Sequence, residues 1–120
     1  MTEAREFTLC LPLAPSVNRT RKINWANYRK VEKWKEEALK SLLVAWSGGK
    51  RPKPMLGKYE VHITLAETTR IDGDNAIKSV IDLVRALNLV VDDSPKYLRR
   101  IVVDFGEIEC GCRVVVREWQ

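Results

Sequence analysis

Thr68–Pro95 reads TTRIDGDNAIKSVIDLVRALNLVVDDSP, and its hydrophobic period changes partway through. Just before it, Val61-His62-Ile63-Thr64-Leu65 alternates apolar and polar residues, the pattern of a half-buried strand. From Asp74 onward the apolar residues Ile77, Val80, Ile81, Val84 and Leu87 recur at helical spacing, which predicts a helix to about Asn88 with one buried face. Asp74, Lys78, Asp82 and Arg85 share a different face. A strand therefore hands over to a helix at Asp72-Gly73-Asp74, and the segment closes on a second acidic pair, Asp92-Asp93, before Ser94-Pro95.

Two carboxylates two residues apart resist ionising together. A divalent cation relieves that repulsion, and Mg²⁺ is held by one or two carboxylates plus water and substrate phosphates. The same residues admit a plainer account. Asp74 is a good helix cap, Asp92-Asp93-Ser94-Pro95 is turn chemistry, and Lys78 can pair with Asp74 or Asp82 along the helix. Composition alone leaves both open.

Outward from this stretch, residues 6 to 11 alternate and read as a first strand, stopped by Pro12 and Pro15. An irregular basic stretch through Asn27 follows, with Arg19, Arg21 and Lys22. A helix is expected from about Trp25 to Trp46, with Val31, Trp34, Ala38, Leu42 and Ala45 as its apolar stripe, widened by Leu39 and Leu43. Trp34, Trp46 and part of Tyr28 are expected in the core. Ser47 to Pro54 is turn-rich and predicts a linker without regular structure. Tyr97 to Glu109 reads as a long strand, inward at Leu98, Ile101, Val103 and Phe105, with its alternation broken near Arg99-Arg100 as a bulge would break it. Glu109 to Cys112 reads as a hairpin turn and Val114-Val115-Val116 as a last strand. The order β-α-β-α-β-β over residues 1–120 predicts a single α+β domain, a mixed sheet with two main helices.

The charge is uneven. Between Arg19 and Lys58 twelve bases face three acids, whereas between Glu60 and Asp93 seven acids face three bases. Bases hold a phosphate backbone and release its counterions, while carboxylates hold metal at a scissile phosphate, so a basic half beside an acidic focus suits a metal nuclease. Arg19, Arg21, Lys22, Arg29, Lys30 and Arg70 are the candidate DNA contacts, and Trp25 and Tyr28 could stack on splayed bases. No apolar run reaches the length of a membrane span, and MTEAREF lacks a signal-peptide pattern. Three cysteines, Cys10, Cys110 and Cys112, fit a reducing cytoplasm, with the thiols serving as small apolar residues. A zinc site from these cysteines and His62 lacks the usual ligand spacing.

Arg70-Ile71-Asp72-Gly73-Asp74-Asn75, then Lys78, Asp82 and Asp92-Asp93, resembles the signature of the RusA-type Holliday-junction resolvases. Leu11-Pro12-Leu13-Ala14-Pro15-Ser16-Val17-Asn18-Arg19 is similar to that family's opening, so the likeness spans nearly the whole chain. It departs at Ile71, where a basic residue often precedes the first aspartate. The resemblance implies a Mg²⁺-dependent homodimeric endonuclease, with Mn²⁺ able to substitute, that resolves four-way DNA junctions by paired nicks. It implies that Asp72, Asp74 and Asp93 are the metal-binding catalytic carboxylates and Lys78 the catalytic lysine. Asp93 is expected to join the other two within its own chain, which requires the segment after the helix to fold straight back; a partner subunit is the other source. Val114, Val116 and Trp119 are candidate dimer contacts, unless that strand is central and buried. Two other readings are a DNA-binding module whose acidic pairs are only caps and turns, and a D-x-D nucleotide-sugar transferase, for which the chain has little room.

Overall fold

A computed structural model of the chain describes residues 5–13, 25–66 and 73–120, with the side chains of 25–27 and 73–76 left aside. Its elements are β1 (Glu6–Leu11), α1 (Trp25–Ala45), β2 (Tyr59–Ala66), α2 (Gly73–Ala86), β3 (Leu98–Gly106) and β4 (Cys112–Glu118). The α+β order expected from the period changes is the order found. The strands form one mixed sheet, ordered β1-β4-β2-β3. β4 runs antiparallel to both β1 and β2, while β2 and β3 are parallel and joined through α2.

Register puts the apolar residues of all four strands in rows on one face. Phe7, Val116, Val61 and Ile101 make one row, and Leu9, Val114, Ile63 and Val103 the next. Trp34, Ala38 and Leu42 of α1 and Val80, Leu83 and Val84 of α2 close over this face in a single core. The burial of such side chains, at about 25 cal/mol per Å² of apolar surface, is the main force holding sheet and helices together. The Trp34 indole N–H, taken out of water with its ring, donates to the Pro12 carbonyl at 2.9 Å.

The cover stops short of β3, the edge strand, so Ile101 and Phe105 stay exposed although their phase is inward. The break expected near Arg99-Arg100 is present: Tyr59 pairs with Leu98 but Glu60 with Arg100, leaving Arg99 as the extra residue of a bulge. β4 is central, and Val114 and Val116 are fully buried in their own chain, so they form no dimer surface. Trp119 instead lies against the Arg100 guanidinium, 5.1 Å from its ring centroid. On α1 the stripe is narrower than expected. Leu39 and Leu43 face solvent, as does Tyr28, because β1 and β4 are already covered by the Trp34-Ala38-Leu42 row. Residues 47–54 hold no helix or strand, as expected; 46–50 form a turn with Gly48 and Gly49 in left-handed backbone, closed by the Lys50 N–H on the Trp46 carbonyl.

The opposite face of the sheet carries charge. A row of alternating sign, Glu6, Arg117, Glu60 and Arg100, crosses all four strands. Arg117 lies 2.9 Å from Glu6 and 3.9 Å from Glu60, and Arg100 lies 3.9 Å from the other Glu60 oxygen. His62 Nε2 sits 2.8 Å from Glu60, which explains how a nearly buried carboxylate is tolerated there.

The cysteines correct the expectation of three plain thiols. Cys10 and Cys110 form a disulfide, with Cα atoms 5.9 Å apart, and only Cys112 is a buried small residue. The bond ties the end of β1 to the turn before β4. A side chain at Gly111 in that turn would run into the Leu13 backbone, so the turn and the exit of β1 are in direct contact. Closing a loop of 100 residues removes denatured-state entropy worth about 5 kcal/mol in the chain-entropy account. Cys10→Ser should therefore lower the denaturant midpoint of the oxidised protein, and excess reductant should bring the unmodified chain to the same midpoint. Equal midpoints with and without reductant would remove the bond from the stability of the fold.

Candidate functional site

β2 and α2 lie on either side of residues 67–72, which fall outside the described residues. β2 ends at Ala66, whose N–H donates to the Gly111 carbonyl, and α2 begins at Gly73, which puts Asp74 in its first turn. Asp72 and Arg70 fall outside the described residues, as do Arg19, Arg21 and Lys22, and Asp74 is described in its backbone alone. One turn on, Lys78 is exposed, and Asp82 and Arg85 follow it on the solvent side. Val80, Ile81 and Val84 are buried on the other side, so the division of faces read from the spacing holds. Arg29 and Lys30 are both exposed near the start of α1.

The end of α2 decides where the second acidic pair goes. The helix stops at Ala86, slightly short of Asn88, in a Schellman turn. Asn88 takes left-handed backbone with φ 58°, its N–H donates to the Arg85 carbonyl, and the Leu89 N–H reaches back to Val84. Leu89 is fully buried, which seals the turn. The chain then runs alongside the lead-in to β2: Met55 bridges Val90, and the Met55 N–H donates to the Leu89 carbonyl. It does not fold back along α2. Asp92 and Asp93 lie instead beside Arg85 in the last turn of the helix, with Arg85 Nε 3.5 Å from Asp92 and Nη1 3.8 Å from Asp93.

Asp74 and Arg85 are eleven residues apart in one helix, a rise of roughly 16 Å. The acidic residues of one chain thus lie towards opposite ends of α2. The preference for a same-chain union of Asp93 with Asp74 has no support in this geometry, because the Schellman turn directs the chain towards β3 rather than back to the start of the helix.

Two residues around the acidic pair carried no functional reading in the sequence. Tyr59, at the start of β2, is fully buried, and its hydroxyl donates to the Asp92 carbonyl at 2.7 Å. Nothing in its local pattern distinguishes it from a core tyrosine. Arg85 was legible only as a polar-face residue. The Asp92 carboxyl is held below the usual carboxylate range, first by the Asp93 backbone N–H and then by the Ser94 side chain, with Arg85 adding its charge. Burial pushes the Tyr59 phenol up to about 12, and the Asp93 and Asp92 charges push in the same direction.

Among the described residues, the one group with metal-ligand geometry is Cys10, Glu109 and Cys110. Its two sulfurs are joined to each other, so it offers one carboxylate rather than a thiolate site. Neither His62 nor Cys112 belongs to it. Cys112 is inert for a second reason: burial raises its thiol to about 12. Of the three carboxylates expected to hold Mg²⁺, Asp93 is the one whose side chain is among the described residues, and it is partly exposed.

The Tyr59 environment gives a pH dependence. A phenol whose pKa rises from 10 in the unfolded chain to about 12 in the fold stabilises the protein below pH 10, and that contribution is lost as pH climbs through 12. Thermal unfolding followed from pH 9 to 12 should show a steep loss of stability that Tyr59→Phe makes shallower; identical slopes for both proteins would show that the phenol titrates normally. The Cys112 thiol acts in the same window and remains in both proteins.

No protein-family model matches this chain, and no curated protein matches it.

Proposed function

We propose that the chain is a Mg²⁺-dependent, structure-selective endodeoxyribonuclease that resolves four-way DNA junctions during recombination and repair. One observation carries the reading. A helix begins at Gly73, inside the Asp72-Gly73-Asp74 sequence, and an exposed lysine stands one turn further along this helix, whose other face packs on the core. The resemblance of residues 70–93 and 11–19 to RusA-type resolvases adds the substrate and the stoichiometry. Asp72, Asp74 and Asp93 would hold the metal, and Lys78 would place its ammonium against the phosphoryl oxygens as negative charge builds on them. Mg²⁺ there would supply charge neutralisation and a more acidic water for in-line attack at phosphorus. Arg29 and Lys30, with Arg19, Arg21, Lys22 and Arg70, would hold the phosphate backbone. No helix among the described residues is long and apolar enough to cross a membrane.

The protein acts as a homodimer in this reading. A junction is two-fold symmetric and needs two nicks, which a C2 pair supplies. The separation along α2 makes the partner subunit the alternative source of Asp93 for each acidic focus. A non-catalytic DNA-binding module is the second reading. It is favoured by the ion pairs of Arg85 with Asp92 and Asp93, which give that acidic pair a structural task.

Three outcomes are expected. With Mg²⁺, but not with EDTA, a synthetic junction is cut while the matched linear duplex is spared, and Asp74→Asn abolishes cutting by at least a hundredfold with junction binding retained in gel shifts. Lys78→Arg, which trades a compact ammonium for a planar fork, loses most of the rate. Asp74→Asn and Asp93→Asn, each inactive alone, regain single nicks when mixed as heterodimers, because one shared site is then intact. Binding of junctions without any metal-dependent cutting would favour the module, and failure of the mixture to nick would return Asp93 to its own chain.

A further inference from the structure

We propose that Tyr59 and Arg85 are positioning residues for the Asp93 carboxylate: the Tyr59 hydroxyl fixes the backbone of the Asp92-Asp93 turn, and the Arg85 guanidinium fixes its side chains. This rests on the nuclease reading in that Asp93 is taken as a metal ligand.

The turn between α2 and β3 is anchored at its two ends. The Schellman turn and the Met55–Val90 bridge hold its start, and Tyr97 and Leu98 N–H groups donate to the Ser94 carbonyl at 3.0 and 2.9 Å to hold its end. Between these lie Val91 to Asp93, where one exposed apolar side chain and two adjacent carboxylates face water. Unassisted, two neighbouring carboxylates repel and swing apart. Tyr59 and Arg85 oppose that from two directions. Tyr59 rises from the core, and phenylalanine would fill the same buried volume, so its hydroxyl is the part of the residue that the core does not need. That hydroxyl meets the Asp92 carbonyl at 2.7 Å, one peptide before Asp93. Arg85 reaches across from the helix with separate nitrogens towards the two carboxylates, which a planar fork can do and a single ammonium cannot.

A purely structural role for Arg85 predicts something different. As a cation beside a metal ligand it opposes metal binding electrostatically, so if it does no positioning its removal tightens binding.

The test measures Mn²⁺ bound to the full chain without DNA, from the free-ion paramagnetic resonance signal, alongside cleavage of a junction over a range of Mg²⁺ concentrations. Circular dichroism confirms folding of each variant. We expect Arg85→Gln to weaken Mn²⁺ binding at least fivefold, Arg85→Lys to recover part of the loss, and Tyr59→Phe to weaken binding by a similar factor. In cleavage, the Mg²⁺ midpoint should rise while the rate at saturating Mg²⁺ recovers, which a lower folded fraction would not produce. Tighter or unchanged Mn²⁺ binding in Arg85→Gln and Tyr59→Phe, with Asp93→Asn still abolishing it, overturns the positioning role and leaves the nuclease reading standing. Asp93→Asn with full Mn²⁺ binding and full cleavage overturns both, since Asp93 would then be no ligand.

Discussion

A single residue in left-handed backbone, Asn88, sets the direction of everything that follows α2. Asparagine tolerates that conformation at small cost, and the buried Leu89 behind it makes the turn cooperative with the core. Had the helix ended without it, the next segment could have run back along α2 towards Asp74. Instead it is passed to Met55 and Tyr59 and delivered to the start of β3. The position of the second acidic pair is thus a consequence of a helix cap.

Much of the fold was legible because the periods were clean. β2 alternates over a half-buried face, α2 keeps its apolar residues on one side, and the Arg99 bulge announced itself as a break in alternation. Burial at the rims was less legible. Leu39, Leu43, Ile101 and Phe105 have the right phase for the core and are exposed, because phase says which way a side chain points and not how far the opposing layer extends. Val114 and Val116 were readable as either interface or core, and strand order decided for core; that order depends on long-range pairing that no local pattern encodes.

The candidate site divides in the same way. The exposure of Lys78 and its place one turn after Asp74 follow from local spacing, and the sequence conveys them. The approach of Tyr59 to Asp92 joins residues 33 positions apart, and nothing near either residue signals the other. The disulfide is a stronger case. Cys10 and Cys110 stand 100 residues apart, and spacing arguments suited to metal sites pass over them.

The sheet order also constrains how the chain comes to be folded. β2, α2 and β3 are contiguous in the chain, whereas Glu6 of β1 meets Arg117 of β4 across 111 positions. Contacts of such separation are slow to form, since loop closure must precede any reward. During synthesis β1 can meet α1, which follows it directly, but its hydrogen-bonding edge has no strand to pair with until β4 is made. Of the four strands, β1 is thus the one whose edge stays unpaired longest in the nascent chain, and the covalent tie at Cys10 can close only once Cys110, just ahead of β4, has been made.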